Sequence, residues 1–195
     1  AWCIKRNFHP HIPFTAQGFW RVAEDAAHFA CAPRQWTSFR GAGALAGSTL
    51  PLDPEFTAQE LGFSATFNNS YDVVGDRDFI LELLQIASQI MLHLSRFSED
   101  FIYLSSTPVG WIELPDFLCT GSSMMPQKKN PDLLELTRGK TASVLGHTSA
   151  IASLIKGLPT SYHRDLQQDK EHLFSAVDTV SKTLAVVPLL SLIHI

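Results

Sequence analysis

The chain has 195 residues, 45% of them hydrophobic, and a net charge of −4, so it can bury a sizeable core and has no charge excess that calls for nucleic acid as a partner. Its three cysteines, Cys3, Cys31 and Cys119, are an odd number at wide spacings, a pattern that suggests neither a disulfide framework nor a zinc cluster and suits a reducing, cytoplasmic setting. Residues 1–20 lack the pattern of a secretory signal, and the apolar tail Ala185 to Ile195, interrupted by Pro188, is too short to span a bilayer, so no membrane partner is expected.

Residues 1–40 carry His9, His11, Trp20 and Trp36 but no sustained period of 2 or 3.6, which leaves their secondary structure unspecified. Without a third ligand at a sensible spacing, His9 and His11 read as solvated loop histidines and no metal is expected. The run Gly-Ala-Gly-Ala-Leu-Ala-Gly, residues 41–47, calls for close backbone approach or positive φ. Asp53 and Pro54 offer a cap and a first position for a short helix to about Leu61, ending near Gly62. From Asp76 a long helix is predicted to Ser105, because Phe79, Leu83, Ile86, Ile90, Leu94, Phe97 and Phe101 recur at steps of three and four and trace one apolar stripe. Such a helix, roughly 45 Å long, belongs to an elongated bundle, and its stripe is core rather than a cofactor box.

Pro108, Gly110 and Pro115 break the pattern, and Gly121 to Asp132 follows as Gly-Ser-Ser-Met-Met-Pro-Gln-Lys-Lys-Asn-Pro-Asp. A helix is expected to start at Pro131, with Asn130 as its N-cap and Asp132 favoured by the dipole. That N-terminus, with Lys128 and Lys129, would form a positive pocket for a carboxylate or phosphate, with Ser122 and Ser123 beside it and Met124 and Met125 as apolar cover. Without further information the same residues are a solvated basic turn, Glu135 is a first-turn carboxylate complementing the dipole, and Cys119 is a buried free thiol. The helix from Pro131 to about Lys156 contains Gly139, Ala142, Ser143, Gly146, Ser149, Ala150 and Ala152, so neighbouring helices are expected to approach it closely on several sides. Leu134, Val144, Ile151 and Ile155 supply its larger apolar contacts. After Gly157 and Pro159 a third helix is read from the near-heptad spacing of Leu166, Leu173, Val177, Val180, Leu184 and Val187. Tyr162, Arg164, Gln167 and Lys170 near its start could share one face.

The Gly121 to Asp132 run resembles the signature loop of the fumarase and aspartase superfamily. Its Gln-Lys-Lys-Asn-Pro-Asp ending is similar to that of argininosuccinate lyase and delta-crystallin, whereas adenylosuccinate lyases tend to read His-Lys-Arg-Asn-Pro and fumarases Gly-Lys-Val-Asn-Pro. The Gly-rich turn, the Asn69-Ser70 and Arg77-Asp78 pairs, and the pattern Tyr-x-x-Asp-x-Gln-x-Asp-Lys from Tyr162 to Lys170 are similar to segments of the same family. For Arg77 and Asp78 a polar cap network is at least as well supported as substrate contact.

The resemblance implies an all-α, elongated bundle of long helices over residues 41–190, a segment 1–40 that does not match the family, and an unmatched tail 191–195. It implies a lyase that reversibly β-eliminates argininosuccinate to arginine and fumarate, a step of arginine biosynthesis, with no cofactor and no metal. It also implies a homotetramer that shares its active sites between subunits. Ser122 would be the catalytic base, Lys128 the stabiliser of the dianion, and Glu135 the carboxylate that orients a histidine from another region. Ser123, Asn130, Tyr162, Gln167 and Lys170 would bind substrate. The family's histidine motif and N-terminal substrate region are not found, and the chain lacks a starting methionine, so an incomplete, inactive fragment is expected. A non-enzymatic, delta-crystallin-like structural protein, a lyase of adenylosuccinate or fumarase type, and a helical interaction module are the alternatives.

Overall fold

The structure is a computed structural model that describes residues 37–38, 41–45 and 47–186. His9, His11, Trp20, Trp36, Cys3, Cys31, Val187 and the tail 187–195 lie outside the described residues. The described chain is built on helices: α1 (Pro54–Leu61), α2 (Ser70–Val73), α3 (Asp78–Ser105), α4 (Asp132–Ile155) and α5 (Asp169–Val186). Single 3-10 turns cover Asp116–Leu118 and Arg164–Gln168. The described β structure amounts to two-residue strands, β1 (Thr37–Ser38) and β2 (Ala65–Thr66), paired in parallel with Thr37 opposite Ala65, and one isolated bridge. The expected all-α bundle is what the chain forms.

Local chemistry explains the element ends. The Asp53 carboxylate accepts from the Phe56 N–H at 2.9 Å, Pro54 occupies the first turn, and Gly62 closes α1 in the left-handed region at φ 76°, as cap preferences predict. The expected start of the long helix at Asp76 moves to Asp78. The Asp76 carboxylate accepts from the Asp78 N–H at 2.8 Å, and Arg77 keeps a non-helical φ of −136°, so Asp76 serves the helix from outside it. At 28 residues α3 is about 42 Å long.

Helix α4 runs antiparallel to α3. The Thr141 hydroxyl donates to the Met91 carbonyl at 3.0 Å, and Thr148 donates to the Leu84 carbonyl at 3.2 Å. Ser88 and Thr148 pair their hydroxyls at 2.8 Å. These short polar side chains bring the backbones close, and among the described residues no buried side-chain N or O atom lacks a hydrogen-bond partner. Two cores result. Ile80, Leu84, Ile90, Met91 and Leu94 of α3 meet Val144 and Ile151 of α4 and Ala176 and Val180 of α5, each large side chain contributing about 2 kcal/mol of burial. Farther along, Phe97 and Phe101, with ring centroids 4.5 Å apart, pack with Ile112, Leu114, Leu118 and Leu134.

Two packing expectations are corrected. Ahead of Ile90 the buried positions of α3 are Ile80, Leu84, Ala87 and Ser88, while Phe79, Leu83 and Ile86 are half-buried. Both α4 and α5 pack there, so the core centre falls between two neighbours rather than along a single stripe. Ile90, Leu94, Phe97 and Phe101 are buried as expected. Among the described residues, helix α4 is not packed on several sides. Gly139, Ala142, Ser143, Gly146, Ser149 and Ala152 are exposed, and a side chain built at Gly139 or Gly146 would meet nothing within 4 Å.

Candidate active site

The segments singled out in the sequence gather at two opposite ends of the bundle. At the end where α3 begins, the Gly-rich turn folds back through left-handed glycines, Gly41 at φ 92°, Gly43 at 76° and Gly47 at 103°. A β-carbon on Gly43 would overlap the Gly47 carbonyl, so the turn needs the glycine it has. Ser161 anchors this turn to the start of α5. Its hydroxyl donates to the Leu45 carbonyl at 3.0 Å, its backbone sits at φ 78°, and its carbonyl oxygen would lie 2.3 Å from a β-carbon on Gly75. A buried serine held in the left-handed region carries backbone strain, and it immediately precedes Tyr162.

Around this anchor lies a cavity of about 540 Å³ lined by Gly43, Ala44, Arg77, Tyr162, Asp169 and Lys170 among others. The Gln167 amide donates to the Tyr162 hydroxyl, and the Lys170 ammonium donates to the Gln167 carbonyl oxygen and the Asp169 carboxylate, each at 3.2 Å. Behind them the Arg77 guanidinium meets Asp169 at 2.6 Å, with side chains only 14% and 6% exposed. Arg77 also donates to the Asp76 and Val74 carbonyls at 2.6 and 3.4 Å. Arg77 therefore acts as a structural cation, and Asp169 faces one charge inward and one, Lys170, outward. Of the four polar residues expected on one face, Tyr162, Gln167 and Lys170 come together, and Arg164 stands exposed outside that network. Gly75, Ser161 and Asp169 hold the arrangement and were not singled out in the sequence. The Gly75–Asp76–Arg77 turn before a helix was the available signal for the first, and Asp169 is visible only as part of the Tyr-to-Lys pattern.

The signature loop sits at the far end, where α3 finishes and α4 begins. Thr120 and Asn130 exchange backbone hydrogen bonds at 3.0 and 2.9 Å, an isolated antiparallel bridge that closes residues 121–129 as a hairpin. The expected Asn130 cap is thereby corrected. Pro131 holds the cap position, its carbonyl accepts from the Leu134 and Glu135 N–H groups at 3.0 and 3.1 Å, and α4 starts at Asp132. The Ser122 hydroxyl accepts from the Met124 and Met125 N–H groups, both at 3.3 Å, a local turn that holds its oxygen in place. Ser123, Lys128 and Glu135 are exposed and Asn130 is half-buried.

The two lysines part company. The Lys129 ammonium pairs with Asp116 at 2.5 Å and Glu113 at 3.5 Å. The hydrogen bond to Asp116, then that carboxylate's charge, raises its pKa above the usual lysine value. Lys129 is thus committed to the preceding segment, not to the positive pocket expected of the Lys128–Lys129 pair. Among the described residues no ion pair holds Lys128. Cys119 is a half-buried free thiol; burial pushes its pKa up against the opposing pull of Lys129, which leaves it an unreactive thiol.

Within one chain the loop and the cavity are separated by roughly the length of α3, about 40 Å. The fold therefore brings together Tyr162, Gln167 and Lys170, and separately Ser122, Ser123, Lys128, Asn130 and Glu135, but not the two groups with each other. No group of three metal-ligating side chains occurs among the described residues, and no described helix is long and apolar enough to cross a membrane.

Comparison with known proteins was consistent in kind. The family described as lyase matches residues 22–146, so the match begins inside the segment 1–40 that was expected to stand outside the family. An argininosuccinate lyase of Symbiobacterium thermophilum is 52% identical over 170 residues, covering 87% of this chain and 37% of that protein. One of Moorella thermoacetica is 58% identical over 146 residues, 75% of this chain and 32% of that protein. The chain thus spans 32–37% of the length of these two relatives. Among solved structures, EDDS lyase in complex with formate superposes with a TM-score of 0.68 at 24% identity, over 85% of this chain and 34% of that one, a likeness of fold.

Proposed function

Since the chain belongs to the lyase family of the fumarase and aspartase superfamily, we propose that it supplies two separate walls of argininosuccinate lyase active sites, cleaving argininosuccinate to arginine and fumarate. One observation carries the reading: the loop from Gly121 to Asp132 holds a positioned Ser122 oxygen and a Lys128 ammonium that no ion pair of the described chain consumes. The relatives that share this segment at 52% and 58% identity bear the name of that activity.

The chemistry asks for these parts. β-Elimination removes a weakly acidic proton from the carbon beside a carboxylate, and extra negative charge builds up before the C–N bond breaks. Ser122 is the base, and Lys128 lies six residues on in the same hairpin, a cation for the developing dianion. A serine hydroxyl must be strongly acidified to act as a base, which requires water-free closure around it and neighbouring positive charge. Ser123 and Asn130 hold a substrate carboxylate, and Glu135 orients a histidine from another region. Tyr162, Gln167 and Lys170 grip the remainder of the substrate. Leaving-nitrogen protonation needs an acid, which this reading assigns to residues outside the segment.

The family resemblance implies a homotetramer with shared sites, and the roughly 40 Å between the walls fits the cavity of one copy facing the loop of another. The open small-residue face of α4, with Leu136 and Leu145 exposed along it, suits close helix approach between copies. Residues 41–190 are then the central bundle unit, in a cytoplasmic enzyme.

The test replaces the corresponding segment of the Moorella relative with this chain's. The chimera is expected to release fumarate from argininosuccinate, and Ser122→Ala within it to lose at least about a hundredfold in turnover while keeping its helical circular dichroism. Near-normal turnover would remove Ser122 from the base role. The 195-residue chain alone is expected to release no fumarate, and release by it would overturn the shared-site reading.

A further inference from the structure

Outside both walls, the flank of the bundle carries a pair of imidazoles that the proposed reaction does not use. His147 on α4 and His172 on α5 bring their Nδ1 atoms to 3.1 Å, with ring centroids 5.4 Å apart and planes inclined at 52°. Both residues are half-buried, and neither lines the cavity beside Tyr162.

Two imidazoles that meet nitrogen to nitrogen can share only one proton, so at least one ring is neutral and presents a lone pair to the other. The neutral ring is the form that binds metal. The spacing also suits an ion. Two nitrogens at about 2.0 Å from a metal lie about 2.8 Å apart at a right angle and about 3.3 Å apart at the tetrahedral angle. The observed 3.1 Å falls between these limits, so small ring movements would replace the shared proton by a cation.

We propose that His147 and His172 form a two-ligand site for a divalent late first-row transition metal ion of the zinc, nickel or copper class, bridging α4 and α5. Because no described third His, Cys, Asp or Glu joins them, water fills the remaining positions and the ion exchanges readily, unlike a closed structural site. Imidazole ligands disfavour magnesium and calcium, which prefer oxygen. The bridge would tie the helix that starts at the signature loop to the helix that starts at the Tyr162 segment.

Titration calorimetry of the 195-residue chain with zinc chloride or nickel chloride tests this. One bridging ion per chain is expected, with affinity falling by at least about tenfold in His147→Gln or His172→Gln. Magnesium chloride is expected to give no heat. Glutamine retains hydrogen-bonding groups, and equal helical circular dichroism certifies the fold. His9→Gln with His11→Gln, which removes the other closely spaced histidines, is expected to leave this event intact. Absence of zinc and nickel binding, or affinity unchanged in the His147→Gln/His172→Gln double variant, would overturn the site. In unmutated protein, zinc is expected to protect both rings from diethylpyrocarbonate in a mass-spectrometric footprint, and full modification in its presence would overturn it equally.

Discussion

The two ends of the bundle hold their polar groups in opposite ways. At the cavity end, Tyr162, Gln167 and Lys170 are joined to one another and backed by Asp169 and Arg77, while Ser161 ties the segment to the Gly-rich turn. At the loop end, the hairpin is shut by one backbone bridge, Lys129 is held by surface carboxylates, and of the side chains proposed for chemistry Ser123, Lys128 and Glu135 are exposed while Ser122 and Asn130 are half-buried. One wall is positioned by the chain's own interior, and the other is a surface feature shaped only locally. A site assembled from both would have its binding half preorganised and its reacting half completed by what docks against it.

Removing the interior charge behind the cavity should hurt most. Asp169→Asn leaves the Arg77 guanidinium, 14% exposed, without its counter-charge, and breaking a buried pair from one side costs about 3 kcal/mol. A urea melt of the chain should show the loss, and a change no larger than that of a surface variant would break the contrast between the two ends. Gly75→Ala should come next. Its new methyl meets the Ser161 carbonyl, and relieving such overpacking costs about 2 kcal/mol. An unchanged midpoint would mean that the Ser161 anchor yields freely and that the cavity wall is no better fixed than the loop.

The same contrast governs how much was legible in the sequence. Local rules predicted α1 from Asp53, Pro54 and Gly62, and α3 from its recurring apolar residues, because caps and periodicity act over a few residues. Tyr162, Gln167 and Lys170 were expected on one face for the same reason. What escaped is non-local. Arg77 and Asp169 are 92 positions apart, Gly75 matters only because Ser161 arrives against it, and His147 meets His172 from another helix. Asn130 had the right chemistry for a cap, yet the bridge to Thr120 claimed its backbone and moved the cap to Pro131. The small residues of α4 were readable as a close-packing face, but not as one that this chain leaves open. The roles of Ser122 and Lys128 came only from the resemblance of the signature loop, since a half-buried serine and an exposed lysine carry no local mark of catalysis.

Lys129→Met should have the smallest effect and examines the loop end directly. The ammonium is solvent-exposed and its partners Asp116 and Glu113 are more exposed still, so solvent and salt screen the attraction and the melting midpoint at neutral pH should barely move. The pH dependence gives the effect its sign. The folded-state pKa of Lys129 is raised above 10.5, first by the hydrogen bond to Asp116 and then by its charge. Its contribution is therefore fully present below 10.5 and disappears as pH rises through the raised value. Any small gap between the unmutated chain and Lys129→Met should close above pH 10.5 and shrink with added salt at lower pH. A gap as large as that of Asp169→Asn, or one that persists in high salt, would mean that the loop is braced from the interior after all, and the two ends of the bundle would no longer differ in kind.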